Sequence, residues 1–179
     1  MASADLLNIE RELRRAYEFG RLRLALFGVL PLVVLAAAVA GLSLRPWSVV
    51  VFGSAVVGLS AWLLWYGREP RRAVLPGVAA GLVPLLLSVC ANLVHACGAE
   101  GCSTRCVPAC ALGGVVAGVG VVVMVKELGA PLRSLWVASA LALLTGSMGC
   151  ACIGYAGIGS LGLGFVVGFV PGLLLRWFR

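Results

Sequence analysis

The fold this chain predicts is all-α: a polytopic membrane bundle of six transmembrane helices in three antiparallel hairpins, with both termini cytoplasmic. Three observations point there. The 179 residues are 61% apolar and only 12% charged, and the mean hydropathy is +1.07. Six apolar runs are each long enough to cross a hydrocarbon layer of about 30 Å, which takes roughly 20 helical residues. The basic residues gather at alternate connections, as the positive-inside bias requires of a chain with an even number of spans. Alternating apolar and polar strand patterns are absent, which argues against a β-barrel. Backbone polar groups in lipid must then pair within their own segment, and that leaves helices.

The spans fall near 24–42, 47–66, 73–94, 107–125, 134–152 and 155–175. Arg11, Arg14, Arg15, Arg21 and Arg23 precede the first; Arg68, Arg71 and Arg72 lie between the second and third; Lys126 and Arg133 lie between the fourth and fifth; Arg176 and Arg179 close the chain. Only Arg45 and Arg105 fall on the opposite side. The +7 net charge therefore describes topology, and no direct nucleic-acid contact is expected from it. Ala36–Ala40 could pass for a signal-peptide cleavage site, but the charged arm before it is long and mixed and the apolar run exceeds an ordinary signal core, so the helix is expected to stay uncut.

Residues 1–23 form a cytoplasmic arm, with 24–179 as the membrane domain. Within 5–23, Leu6, Ile9, Leu13 and Tyr17 recur at helical spacing, and Glu10 and Arg14 form a supporting i,i+4 pair. The acidic residues leave this arm nearly neutral, too balanced for a purely electrostatic lipid clamp. It either extends the first span along the headgroups or docks into a groove on a cytoplasmic partner; the residues for docking are Leu6, Ile9, Leu13 and Tyr17, with Arg11, Arg14 and Arg15.

Small residues mark the packing seams. Ser160, Gly164, Gly168 and Gly172 are spaced by four along the last span, and Gly77/Gly81 and Gly114/Gly118 repeat that spacing. Such ridges let helix backbones approach closely, within the bundle or in a homodimer. Pro31, Pro84 and Pro171 fall inside spans and should bend them, and the tryptophans fall mostly near span ends, as interfacial anchors do. No span contains Asp, Glu, Lys, Arg or His. Pumps and proton-coupled transporters place ionisable groups at depth, so this class is disfavoured, and no catalytic constellation indicates an enzyme.

The chemistry-bearing residues are sulfur. All seven cysteines, Cys90, Cys97, Cys102, Cys106, Cys110, Cys150 and Cys152, are expected on the side away from the arginines, and the only histidine, His95, lies among them in a cysteine-rich connection over about 95–110. Arg72 opens a span that reaches Cys90 and Arg133 one that reaches Cys150, as successive hairpins would place them. Cys102, Cys106 and Cys110 share a face if that stretch is helical. With Pro108 in the first turn of the fourth span, Cys106 would sit near a helix N-terminus, where the partial positive charge favours thiolate. Three readings stay open: structural disulfides in an oxidising compartment, a redox or thiophilic-metal sensor that transiently takes zinc, cadmium, copper or mercury-like ions, and a permanent zinc site, which lacks the paired CxxC spacing. An odd number of thiols leaves at least one unpaired within a chain.

The stretch from the cysteine-rich connection through Lys126-Glu-Leu-Gly-Ala-Pro131-Leu-Arg133, then Gly149-Cys150-Ala-Cys152, and a glycine-rich last helix closing at Leu175-Arg176-Trp177 resembles bacterial membrane anti-sigma factors of the negative-regulator-of-sigma-F family. The resemblance implies a six-helix protein of the bacterial inner membrane. It implies a short cytoplasmic N-terminal segment that holds an extracytoplasmic-function sigma factor, and periplasmic thiols that sense metal or oxidant and release it. Two other functions compete: a thiol-based soft-metal uptake protein of the mercuric-ion type, which would need cysteines at mid-depth or on the inner face, and a structural subunit of a larger membrane complex.

Overall fold

The computed structural model describes the backbone over residues 2–42, 46–66, 71–94, 102–151 and 154–177, and most side chains within those stretches. Six helices follow in order: α1 (Ala2–Leu42), α2 (Pro46–Tyr66), α3 (Arg71–Val94), α4 (Cys102–Glu127), α5 (Leu132–Cys150) and α6 (Tyr155–Trp177). No strand occurs among the described residues. Five of the six helices, all but α5, are long and apolar enough to cross a membrane.

The helices start and stop where backbone chemistry allows. Pro46 opens α2, a position where its missing N–H is no loss. Between α4 and α5, Gly129 takes a positive φ of 57°, the left-handed turn that ends helices and that a glycine adopts without strain. Its N–H bonds back to the Lys126 carbonyl at 3.0 Å, and the next N–H, of Ala130, reaches the Val125 carbonyl at 3.2 Å. Gly154 does the same before α6, with φ 86°.

The arm expected over 5–23 extends the first span: α1 runs unbroken for 41 residues, a length of about 60 Å at 1.5 Å per residue, twice the hydrocarbon thickness. One departure from the sequence reading is local. At α4 the helix begins at Cys102, so Pro108 lies inside it and not in its first turn. The N–H that Pro108 lacks would have bonded only the carbonyl one turn back, near the helix start, so the loss is small.

The helix directions follow from which residues meet. Gly53 of α2 faces Ala36 of α1 and Gly28 of α1 faces Leu64 of α2, so these two run antiparallel. Gly113 of α4 faces Pro84 and Gly120 faces Ala80, so α3 and α4 are antiparallel as well. The most extensive seams join next-but-one helices: α4 with α6 first, then α3 with α5. Gly77 and Gly81 of α3 meet Ala138 and Ala142 of α5 in ascending order, and Gly114 and Gly118 of α4 meet Leu161 and Phe165 of α6 likewise. Both seams are therefore parallel. The sequence neighbours α5 and α6 touch far less than α4 and α6 do, because glycines on α4 and α6 let those two backbones approach more closely than the α5 side chains permit.

Helix α5 is the centre of the bundle. It supplies a residue to each of the four buried clusters: Leu135, Ala138 and Ala142 to the largest, Leu141 beside Leu63 and Val74, Met148 beside Leu32, Val49 and Leu85, and Cys150 beside Cys110 and Leu161. Every residue from Thr145 to Cys150 is buried. This explains why α5 is the least lipid-like helix. Its surface faces protein, so it carries Ser134, Ser139, Thr145 and Ser147 buried. Ser139 and Thr145 each donate to a carbonyl of their own helix, Leu135 and Leu141, both at 2.8 Å. Hydroxyls satisfied that way need no water.

Candidate functional site: a buried thiol pair between α4 and α5

The helix directions sort the chain's chemistry to two ends. Arg72, Lys126 and Arg133 lie at one end, at the start of α3, the end of α4 and the start of α5, and Arg23, midway along α1, is at the same end because this part of α1 is level with the end of α2. Cys90, Cys106, Cys110 and Cys150 lie at the other, near the end of α3, the start of α4 and the end of α5. The sulfur-bearing end is thus opposite the arginine-bearing end.

Of the four described cysteines, all thiols here, Cys90 is exposed, while Cys106, Cys110 and Cys150 are buried. Cys110 and Cys150 pack in one buried cluster, closed by Leu161 of α6, and neither thiol has exposed surface. The elements that bring them together are the two parallel seams. Gly114 presses α4 against α6 one turn below Cys110, and Gly146 and Gly149 press α5 against Pro84, Leu85 and Ser88 of α3 just below Cys150. A side chain at Gly149 would overlap the Ser88 hydroxyl, which itself donates to the Leu85 carbonyl at 2.8 Å. The end of α5 is therefore held from one side by α3, and its thiol is turned to α4.

Cys106 sits one turn further out on α4, on the same face as Cys110 and 6% exposed. That differs from the expectation of a thiolate-favouring position at a helix N-terminus. Because α4 starts at Cys102, Cys106 lies in the second turn, and the terminal dipole fades within the first. A thiol held in hydrocarbon is a poor nucleophile until its surroundings open.

The remaining expected residues divide plainly. His95, Cys97 and Cys152 lie outside the described residues, as do the side chains of Cys102, Leu6, Ile9, Arg11, Arg14 and Arg15. Leu13 and Tyr17 are exposed on α1. Gly77 and Gly81 face α5; Gly114, Gly118, Gly164 and Gly168 face one another across α4 and α6; Gly172 faces Val122. Ser160 donates to the Gly157 carbonyl at 2.9 Å. Among the described residues no three His, Cys, Asp or Glu side chains converge to hold a metal ion. Two thiolates are enough for a soft, two-coordinate cation but do not make a tetrahedral zinc site.

Sequence reasoning did not foresee the Cys110–Cys150 pair, since cysteines on different helices carry no spacing signal. It also missed the role of the α5 hydroxyls, which could have been found: a span richer in Ser and Thr than its neighbours faces protein, not lipid. Compared with known proteins, the chain matches no family model, no curated protein and no solved structure.

Proposed function

We propose that this chain is a signalling protein of the bacterial inner membrane, not an enzyme, with its termini in the cytoplasm and its thiols facing the periplasm. In this reading it is an anti-sigma factor: the N-terminal arm holds an extracytoplasmic-function sigma factor, and the thiol end releases it under metal or oxidative stress. The observation that carries the reading is the packing of Cys110 against Cys150 in one buried cluster, a dithiol built between two helices at the end opposite the arginines.

The chemistry is simple. Thiol–disulfide exchange with a small disulfide would join the two sulfurs, pass two electrons to the incoming disulfide and release it as two thiols. A soft cation would instead displace both thiol protons and bridge the sulfurs. Either event ties α4 to α5 and requires the thiol end to open first, because both sulfurs are buried. Helix α5 conveys the change: Met148, two residues before Cys150, packs in one cluster with Leu32 and Val39 of α1, and α1 continues without a break into the arm.

The test has two arms. Replacing Cys110 and Cys150 by serine should abolish stress-induced transcription of the target genes; unchanged induction disposes of the sensor. Purification of the full chain should bring down a sigma factor, and deletion of residues 1–20 should lose it. Absence of any sigma factor from the purified full chain overturns the anti-sigma reading while leaving the thiol chemistry standing.

A further inference from the structure

Joining Cys110 to Cys150 leaves one described buried thiol unused. Cys106 stands four residues before Cys110 on α4, on the same helix face and one turn nearer the helix start. Cys110 and Cys150 have no exposed surface, whereas Cys106 is 6% exposed. The sulfurs are thus ordered by depth, with Cys106 outermost. Pro108 lies between Cys106 and Cys110 and is exposed. It offers no N–H to the Thr104 carbonyl, so the turn that carries Cys106 is held by one backbone bond fewer than the next. The outer thiol is therefore uncovered by a smaller opening than the inner pair.

Two disulfides compete for the Cys110 sulfur. Positions four apart on a helix are separated by about 6 Å along the axis, within the Cα spacing of about 4.4–6.8 Å that a disulfide bridges. Their Cβ atoms, about 5–6 Å apart, would have to close to about 4 Å. A Cys106–Cys110 bond would therefore bend α4 at Pro108 and be the more readily broken of the two. It would also leave α4 and α5 unjoined. A bond from Cys110 to Cys150, its partner in the buried cluster, joins the two helices.

We propose that Cys106 is the entry thiol of a relay that carries oxidation from a low-molecular-weight disulfide to the buried pair. The proposal rests on the Cys110–Cys150 pair being the redox switch. Cys106 attacks the small disulfide, forms a mixed disulfide and releases one small thiol, which takes up the Cys106 proton. Cys110 then attacks the Cys106 sulfur and releases the second small thiol with the Cys110 proton. Cys150 finally attacks the Cys110 sulfur, and Cys106 leaves as a thiol carrying the Cys150 proton. The small disulfide has gained two electrons, Cys110 and Cys150 have lost them, and Cys106 is regenerated.

Oxidation kinetics test this. A full-length protein in lipid vesicles with Cys90, Cys97, Cys102 and Cys152 replaced by serine keeps the three sulfurs of the relay. It is exposed to glutathione disulfide, quenched by alkylation at intervals and read by peptide mass spectrometry. A Cys106–Cys110 disulfide should rise and decay before Cys110–Cys150 accumulates. Cys106→Ala should slow formation of Cys110–Cys150 about tenfold and leave its final extent unchanged. Cys150→Ser, made both in this protein and in the unaltered chain, should halt the relay at Cys106–Cys110. Equal rates with and without Cys106 overturn the relay and leave the switch standing. A glutathione adduct on Cys110 in place of the Cys106–Cys110 bond in the Cys150→Ser proteins overturns it also, since the oxidant then reaches the inner thiol directly. Absence of Cys110–Cys150 from the oxidised unaltered chain overturns the switch and the relay together.

Discussion

Gly114 of α4 and Gly164 of α6 meet backbone to backbone. The place of a Cβ on Gly114 is taken by the Leu161 carbonyl and the Gly164 backbone, and the place of a Cβ on Gly164 by the Ala111 carbonyl; Gly118 and Gly168 repeat the arrangement one turn along. Without a hydrophobic drive between helices in lipid, this close approach is what holds α4 to α6. Leucine at 114 or 168 should destabilise the protein by about 1–3 kcal/mol or more, because rigid backbone must move. Gly162 has nothing within 4 Å, and Gly162→Ala should instead stabilise by about 0.5–1 kcal/mol through helix propensity. Denaturation in mixed micelles would measure both, and equal effects at 114 and 162 would show that the seam is not formed.

The burial of the thiols sets an order of reactivity. Cys90 is exposed and Cys110 and Cys150 are not, so an alkylating maleimide should modify Cys90 before Cys110 and Cys150 in the reduced protein. An opening free energy of only ~1.4 kcal/mol already slows the buried pair about tenfold. Peptide mass spectrometry over a labelling time course reads this site by site. Mild oxidation should then protect Cys110 and Cys150 together from alkylation while Cys90 stays reactive. Loss of one without the other would mean they do not pair.

Much of the fold was legible in the sequence, and the limits have physical causes. The described helices α2, α3 and α6 begin and end within a few residues of the apolar runs at 47–66, 73–94 and 155–175, because hydrocarbon thickness fixes span length. Helix α4 starts earlier than its apolar run, since a helix continues past the lipid wherever its backbone bonds are met. Partner choice was less legible. Glycines at 77, 81, 114, 118, 164 and 168 announce close seams, yet a glycine ridge does not name the helix it meets; that α4 chooses α6 and α3 chooses α5 depends on the whole bundle. The same holds for the site: the sorting of cysteines away from arginines is written in the chain, whereas the meeting of Cys110 with Cys150 needs both parallel seams at once.

Ser60 is fully buried on α2 and its hydroxyl has no hydrogen-bond partner among the described residues. A buried unmet hydroxyl destabilises by about 1–3 kcal/mol, so Ser60→Ala should raise stability by roughly 1 kcal/mol after the small loss of packing. Thr145 is the control. It is equally buried but donates to the Leu141 carbonyl, so Thr145→Val, which keeps the shape, should change stability by less than about 1 kcal/mol. A destabilised Ser60→Ala protein would show that the hydroxyl is engaged.

The central position of α5 gives the sharpest contrast between facing protein and facing lipid. Leu141 is fully buried with Leu63 and Val74, whereas Leu163, on α6, is 73% exposed. Both are leucines in apolar helices, and hydropathy alone treats them alike. Leu141→Ala leaves a cavity that lipid cannot enter and should destabilise by about 2–5 kcal/mol. At position 163 an acyl chain replaces the lost methyls, so Leu163→Ala should be close to neutral, within about 0.5 kcal/mol. Unfolding in bicelles by detergent titration compares the two on one scale. A large effect at Leu163 would place that face of α6 against protein, while a small effect at Leu141 would remove α5 from the centre of the bundle and with it the route from the thiols to α1.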